Sequence, residues 1–463
     1  MDKTTKYKHR FLARVIIEAV SPLSVGSGSK HVMTDHLIVR DANGFPYIPG
    51  TAIAGILRHA IGEELAKPFF GTDEGNGKGS EIMFSSACLV ADSNKIIEGI
   101  FEEKNSEYMK LFQTQLIRQH VKLNDKGTTD TGGKFDGEVV YKGTRFCFEI
   151  EMVSEGNDKN INLFEAVLKK LASNSFRIGS GTRSGYGEIK IVECKIKYLD
   201  LEKDLDIYIN KSSSLTDEFW EDKSLDIKDI ANDLKASSEN TNLIEYKLTL
   251  KPDDFFFFGS GFGNEKADMT ALTETKIIWD GNNPKLVTNN ILIPGSSVKG
   301  ALSHRTAYHY NKNNCLYVGN DEAKSGNENP AVRELFGYAD EEKSDNPSVR
   351  GKVLISDIIE HIATETKILN HVSIDRFTGG AIEGALFSEE VIYSEKEFDL
   401  NIYVDLVEDI TCEADIKTPL KAFECALIDV VNGMLPLGGG VNRGHGCFTG
   451  KVLKNGNKIY ENE

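Results

Sequence analysis

A Pro-Gly junction that occurs twice confines this chain to folds that can be built as a tandem pair. Ile48-Pro49-Gly50-Thr51-Ala52-Ile53-Ala54-Gly55-Ile56-Leu57 returns as Ile293-Pro294-Gly295-Ser296-Ser297-Val298-Lys299-Gly300-Ala301-Leu302, 245 positions later. Other landmarks keep the same order. Ser- and Gly-rich residues 21–30 answer Gly259-Ser260-Gly261-Phe262-Gly263, Phe69-Phe70-Gly71 answers Leu335-Phe336-Gly337, and apolar residues 82–90 answer 352–359. His120-Val121-Lys122-Leu123 opens a polar hairpin, as His371-Val372-Ser373-Ile374 does. Helical stretches 163–172 and 420–434 run into glycine loops, so that Gly438 follows Gly179 by 259 positions. Features repeating in one order at nearly one offset define an internal duplication of roughly 200-residue units. The division is 1–199 for the first domain, 200–242 for an acidic linker and 243–463 for the second domain.

The 463 residues, 40% of them hydrophobic, suffice for two packed cores and are too apolar for a disordered chain. Alternation over 11–20 and 244–251 predicts strands, and apolar residues at helical spacing over 52–65 and 163–172 predict helices. The seven cysteines are scattered and form no C-x-x-C pair, and the ten histidines show no H-E-x-x-H spacing. This pattern argues against a disulfide framework and a structural zinc site, and a reduced, cytoplasmic protein is expected. The basic start leads into an apolar segment that Arg14 and Glu18 interrupt, so neither a signal peptide nor a membrane span fits. Net charge is −17, which speaks against a generic nucleic-acid binder. Residues 200–241, however, carry 12 acidic and 5 basic side chains and so supply −7 of that total. This stretch reads as a solvated arm. RNA binding therefore requires a local basic or glycine-lined groove.

Such a groove has candidates. Each Pro-Gly turn ends an apolar run and opens a helix, whose unpaired N–H groups and dipole favour a phosphate. Ser296 and Ser297 sit where serines cap helix starts, with Lys299 one turn in. The first copy has Ala52 and Ala54 in place of Ser297 and Lys299, leaving Gly50, Thr51 and Arg58; Gly295 and Arg305 complete the second set. The loops add Gly179, Ser180, Arg183 and Ser184 in one unit and Gly438, Gly439 and Arg443 in the other. Glycines let a backbone approach closely, and arginine offers a forked donor to phosphate. A dinucleotide-binding fold is a poor fit, because these glycines follow a helix and precede a strand.

Taken together, Ile48-Pro49-Gly50 with Arg58, Arg183-Ser184-Gly185-Tyr186-Gly187, residues 293–302, Asp375-Arg376-Phe377-Thr378-Gly379, and Gly438-Gly439-Gly440 with Arg443-Gly444-His445-Gly446 resemble the RAMP superfamily of CRISPR-associated proteins. The chain looks most like the backbone subunits of type III effector complexes. The resemblance implies an α+β fold: two ferredoxin-like, RRM-type domains in tandem, each with insertions and a projecting β-hairpin thumb. Asn124 and Asp125 would mark the first thumb, Asp375 and Arg376 the second. It also implies that the subunit lines a CRISPR guide RNA, meets target RNA, and contacts other RAMP and effector-complex subunits. In target-cleaving members a loop Asp upstream of the Pro-Gly motif assists metal-dependent attack of a ribose 2′-OH on the adjacent phosphate. Asp35 holds that place here and would serve as catalyst and metal ligand for Mg²⁺ or a similar divalent cation. Glu274 stands at the equivalent spacing in the second unit, with Asp268 further upstream; either would be that unit's acid. The other readings are a non-catalytic guide-binding scaffold, a guide-processing ribonuclease of the same superfamily, and a metabolic enzyme with phosphate-binding loops.

Overall fold

A computed structural model of the chain describes residues 7–462 apart from 30–31, 33, 73–76, 93–94, 103–104, 115, 124–127, 156–157, 212–217, 221–242, 318, 339–347, 362–364 and 407–416. The first unit contains β1 (His9–Ala19), α1 (Gly50–Ile61), α2 (Glu63–Phe70), β2 (Ile82–Phe84), β3 (Cys88–Leu89), α3 (Glu107–Leu111), β4 (Leu116–Leu123), β5 (Thr129–Val139), β6 (Arg145–Ser154), α4 (Asp158–Leu171) and β7 (Ile189–Asp200). Its sheet runs β2-β6-β1-β7, antiparallel, with β3 also paired to β6. A short helix, α5 (Leu201–Ile209), follows.

The second unit contains β8 (Leu243–Pro252), β9 (Thr273–Asp280), β10 (Asn283–Ile293), α6 (Gly295–Asn313), α7 (Pro330–Phe336), β11 (Gly337–Tyr338), β12 (Val349–Arg350), β13 (Val353–Ile355), β14 (Ile358–Glu360), β15 (Glu365–Ile374), β16 (Ala381–Tyr393), β17 (Phe398–Asp405), α8 (Pro419–Val431), β18 (Phe448–Lys454) and β19 (Asn457–Glu461). Its sheet, β13-β17-β8-β18-β19, repeats the first order and adds one strand. In both units the first and third core strands lie side by side, and a helix crosses over before the second and before the fourth. This is the ferredoxin-like α+β arrangement, twice. Two-stranded ribbons, β4–β5 and β15–β16, stand apart from the sheets at the places expected for the thumbs.

Isolated bridges inside each unit match those of the other residue by residue. Leu23 with Val140, Gly26 with Ile38 and His36 with Gly137 recur as Phe256 with Ile392, Gly259 with Ala271 and Met269 with Glu389. These pairs fix which positions correspond, independently of sequence spacing.

Two expectations change. The segment 11–20 alternates like a half-buried strand, yet both faces of β1 are covered. Phe11, Ala13, Val15 and Ile17 enter the main core, while Leu12 packs with Leu199, Phe219 and Trp220, and Ile16 packs with Val90 and Cys147. The cover over Leu12 comes from the acidic stretch, so this part of it is not a solvated arm. Trp220 is buried there beneath the Arg14 guanidinium, 4.7 Å from its ring. An aromatic pair is enough to dock a segment that charge alone would leave in water.

The second change joins the halves. The β9–β10 hairpin of the second unit reaches onto the first, where Ile277 is 3% exposed within the first core, and Trp279 and Leu286 pack beside it. Ile277 N–H donates to Lys142 O (2.9 Å) and Trp279 Nε1–H to Gly143 O (2.7 Å). Trp279 also meets Tyr108 edge-on, and Arg145 lies 4.1 Å over its ring. Gly143 has φ +88°, and a Cβ there would lie 2.0 Å from Ile277 O, so only glycine lets the hairpin seat.

Candidate nucleic-acid interface

The Pro-Gly junction of the second unit and the glycine loop of the first form one seam. Gly185 pairs with Ser356 in a parallel bridge, and Asp357 N–H donates to Gly185 O (3.1 Å). A Cβ on Gly295 would lie 2.9 Å from Gly185 Cα. The helix start is capped from outside: Asp357 Oδ1 accepts the Gly295 N–H (2.7 Å), while Pro294 is the N-cap residue and no side-chain cap bond is made. The serine cap expected of Ser296 and Ser297 is therefore absent. Both serines lie within the first turn, Ser297 exposed and Ser296 half-buried.

The seam is basic on one side. Arg183 Nε–H donates to Gly351 O across it, and burial together with the neighbouring Arg350 charge pulls Arg183 down to about 10. Burial, then Arg183 itself, lowers the Lys299 pKa. The structure thus brings Arg183 of one unit and Lys299 of the other into one electrostatic neighbourhood. Arg183 helps to depress Lys299, and a cation held beside another gains from an anion.

Other predicted contacts are already engaged. Arg305 is ion-paired with Asp429 on α8, which also holds His309 at 2.7 Å. Ser180 spends its N–H (2.7 Å) and its hydroxyl (3.1 Å) on Ser24 O, and Gly439 N–H goes to Phe257 O (2.6 Å). These loops hold shape through their own donors rather than offering a free row of N–H groups. Gly179 and Gly438 share φ near +90°, and a Cβ on each would strike the carbonyl of the matched residue, Ser24 or Phe257. Thr51 and Arg58 are exposed on α1.

Arg183 and Arg443, one in each glycine loop, would be expected to correspond, and the loop register shows that they do not. A Cβ on Gly181 would meet the Tyr186 ring and one on Gly440 the His445 ring; Gly187 and Gly446 would strike Ile178 O and Leu437 O. This register sets Arg183 opposite Asn442 and Arg443 opposite Ser184, so the two arginines are not counterparts. Arg443 is paired with Glu389, a fully buried carboxylate that also accepts from His371 (3.0 Å). In the first unit His120 meets the Tyr186 hydroxyl at 2.7 Å. Each thumb root is thereby tied to its own glycine loop, by different side chains. Stacked rings recur beside each tie, His120 on Phe135 and His371 on Phe387, both with 5.0 Å between centroids.

The candidate acids separate clearly. Asp35 is exposed and forms a reciprocal contact with the thumb: Asp35 N–H donates to Asp136 Oδ1 (2.9 Å) and Asp136 N–H to Asp35 Oδ2 (3.1 Å). Asp268 repeats it, since its N–H donates to Ser388 Oγ (3.0 Å) while its Oδ2 accepts the Ser388 N–H (2.7 Å) and hydroxyl (2.9 Å). Those bonds from Ser388 hold the Asp268 carboxyl below the usual range. The residue after each acid, His36 or Met269, makes the matched bridge to the thumb strand.

Asp268 is therefore the counterpart of Asp35, and Glu274 is not. Glu274 lies on β9, buried, bonded to Arg118 Nε at 2.6 Å, and burial pushes its carboxyl up to about 7 against the pull of Arg118. The same Arg118 reaches Asp357 at 3.0 Å. Sequence spacing chose Glu274 because it stands six residues before Asp280, as Asp35 stands six before Asp41; Asp280 ends β9 in a hairpin that the first unit lacks, so the two counts start from positions that do not correspond. Arg118, Asp357, Gly143 and Trp279 carried no motif and were not singled out. Trp279, one of two tryptophans, was the available signal.

At the second thumb tip, Asp375 Oδ1 accepts the Phe377 N–H (2.9 Å), the Thr378 N–H (2.7 Å) and the Thr378 hydroxyl (3.0 Å). The turn presents Phe377 at 98% exposure beside an exposed Arg376. Asn124 and Asp125 of the first thumb lie outside the described residues. Among the described residues no group of three or more His, Cys, Asp or Glu stands ready to hold a metal, and no helix is long and apolar enough to cross a membrane. The Asp35 and Asp136 carboxylates are the donors suited to a hard cation, which would keep water and phosphate oxygens as further ligands.

The profile of the RAMP superfamily matches residues 16–190 and 249–449. The chain is also 28% identical over 214 residues to the CRISPR system Cms endoribonuclease Csm3 of Methanocaldococcus jannaschii, across 40% of this chain and 80% of that protein.

Proposed function

Because the chain belongs to the RAMP superfamily, matched in both halves, we propose that it is a guide-RNA-binding backbone subunit of a type III CRISPR ribonucleoprotein, and that it cleaves complementary target RNA at two positions, one per unit. The observation that carries this reading is the matched contact of Asp35 with Asp136 and of Asp268 with Ser388. In each unit an exposed carboxylate is fixed by the root of a projecting hairpin. The name of the archaeal relative, an endoribonuclease of a CRISPR system, supports the same reading.

In this mechanism the thumbs part the guide–target duplex and the carboxylates face the target ribose and phosphate beside each gap. Hydrogen bonds from the thumb strand keep Asp268 ionised and aimed, and the Asp136 N–H holds the Asp35 carboxylate in position. Each acid is then placed to take up or orient the 2′-hydroxyl proton as that oxygen attacks the neighbouring phosphorus. The bond from phosphorus to the 5′ oxygen of the next nucleotide breaks, and that oxygen takes a proton from water, leaving a 2′,3′-cyclic phosphate and a 5′-hydroxyl. A divalent cation such as Mg²⁺, held by Asp35 with Asp136 and by Asp268, would supply charge neutralisation at the phosphate. Arg183 and Lys299 grip a guide phosphate at the seam.

The test uses the assembled complex with a guide and a labelled complementary RNA. Asp35→Ala and Asp268→Ala should each abolish one product, by at least about 100-fold, the scale of losing a group that acts in the transition state. Together they should abolish both, with guide content unchanged, and chelation of divalent ions should do the same. Wild-type product patterns from the double variant would leave the scaffold reading standing instead.

A further inference from the structure

Each proposed cleaving acid is held by a thumb strand, and in each unit the strand position beside that hold carries a buried ion cluster. In the first unit Asp35 exchanges hydrogen bonds with Asp136 (2.9 and 3.1 Å), and the next residues, His36 and Gly137, form a bridge. Gly137 is paired across the ribbon with Arg118. In the second unit Asp268 is held by Ser388, Met269 bridges to Glu389, and Glu389 is paired with Leu369. Glu138 N–H donates to His36 O and Glu390 N–H to Met269 O, both at 2.9 Å. Arg118 and Glu389 therefore occupy the same rung of the two ribbons, on opposite strands.

The charge on that rung is met from different directions. Arg118 is met from the second unit: its Nε–H donates to Glu274 (2.6 Å) and an Nη1–H to Asp357 (3.0 Å), whose other oxygen accepts the Gly295 N–H (2.7 Å). Glu389, fully buried, is met from its own unit, by Arg443 of the glycine loop (2.5 Å) and His371 of the facing strand (3.0 Å). A two-stranded ribbon outside a sheet has little rigidity of its own. A buried charge supplies it, because any shift that parts the ions leaves one of them unpaired away from water.

We propose that Arg118 and Glu389 are the positioning residues of the two acids, Arg118 setting Asp35 from across the seam and Glu389 setting Asp268 from within its own unit. This rests on Asp35 and Asp268 being the cleaving carboxylates. The first cut then depends on the join between the units, and the second does not. Through Asp357 the first thumb is also registered against Gly295, the start of the helix that carries Lys299, so one carboxylate aligns the first acid with the proposed guide seat. A reacting group misplaced by about 1 Å loses on the order of 100-fold in rate. An anchor on the rung beside each hold is therefore enough to set each cut.

The test follows both products from one target RNA in the assembled complex, in single turnover with complex saturating, so that each product is the internal standard for the other. Arg118→Met should slow the Asp35-dependent product by about 10–100-fold and leave the Asp268-dependent product and the target affinity unchanged. Glu389→Gln should do the reverse. Glu274→Gln keeps an acceptor for Arg118 and should retain most of the first product, whereas Glu274→Ala should lose it; the alanine variant is read in place of Arg118→Met if that one fails to assemble. Both products falling together, or neither falling, would overturn the proposal. Asp35→Ala and Asp268→Ala separate the two failures. If each removes its own product while the anchor variants change nothing, the positioning has failed and the cleavage reading stands. If both products survive the double acid variant, the cleavage reading has failed, and hydrogen exchange of the RNA-free full chain decides the anchoring by itself. Arg118→Met should speed exchange over 134–138 and not over 386–390, and Glu389→Gln the converse. Equal effects on both stretches, or none, would overturn the anchoring.

Discussion

Arg118 takes a full charge into a nearly water-free space and survives there because Glu274 and Asp357 arrive from the other unit. Removing one member of such a group leaves the rest uncompensated, which costs more than the group contributes when intact. Arg118→Met should destabilise the chain by about 3–5 kcal/mol in a denaturant melt. A change below about 1 kcal/mol would mean that water reaches the site. The same cluster sets a pH dependence. Burial raises the Glu274 carboxyl from 4.5 in the unfolded chain to about 7. Between those values the folded protein keeps a proton that the unfolded chain has released. Its contribution to stability is present below 4.5 and is lost as pH rises through about 7. Glu274→Gln should flatten the fall in melting temperature over that window, and an unchanged slope would assign the dependence elsewhere. None of this was legible in the sequence. A buried arginine and its two acids lie far apart along the chain, and nothing local marks them as partners. Asp35 was legible because its motif is local. Asp268 was recovered only when its bridge to the thumb fixed the register.

At the scale of elements, reading succeeded where the pattern closes on itself. Alternation found β1 and β8, helical spacing found α4 and α8, and the polar breaks between apolar runs found both ribbons. It failed at β9–β10, whose partner is the core of the other unit. Half of β10 is polar, with Asn283, Asn289 and Asn290, and the hydrophobic pattern of a hairpin that packs across a seam describes two surfaces at once. The insertion also displaced the count that chose Glu274. This hairpin makes the first unit dependent on the second. Trp279→Ala removes a ring that packs on Tyr108 and Arg145 and should cost about 3 kcal/mol. Gly143→Ala places a methyl against Ile277 O at a positive φ and should be at least as severe. Residues 1–220, which keep the Phe219 and Trp220 cover over Leu12, should then show an exposed core when expressed alone, read as strong dye binding and loss of near-ultraviolet dichroism. A cooperative, dye-silent melt of that fragment would show that the hairpin is dispensable.

For the whole molecule the proposed function raises the question of how a chain of net charge −17 would hold a polyanion. At distances beyond the screening length the overall charge matters little, so affinity must come from cations within a few ångströms of the phosphates. In the proposed function those cations are the ones that stand where the halves join. Arg183 and Lys299 come from different units, and Arg183 lowers the Lys299 pKa. Lys299 is the cleaner probe, because Arg183 also donates to Gly351 across the seam. A lysine that pairs with one phosphate of a single strand contributes about 0.7 to the slope of log affinity against log salt. Lys299→Ala should lower that slope by about this amount for an unstructured RNA, measured by fluorescence anisotropy over a salt series. The loss should be the same for any sequence, since a phosphate contact carries no base information. A slope equal to wild type would move the guide path away from the seam, to the exposed cations of the thumbs, and would separate the junction that holds the units together from the groove that holds the RNA.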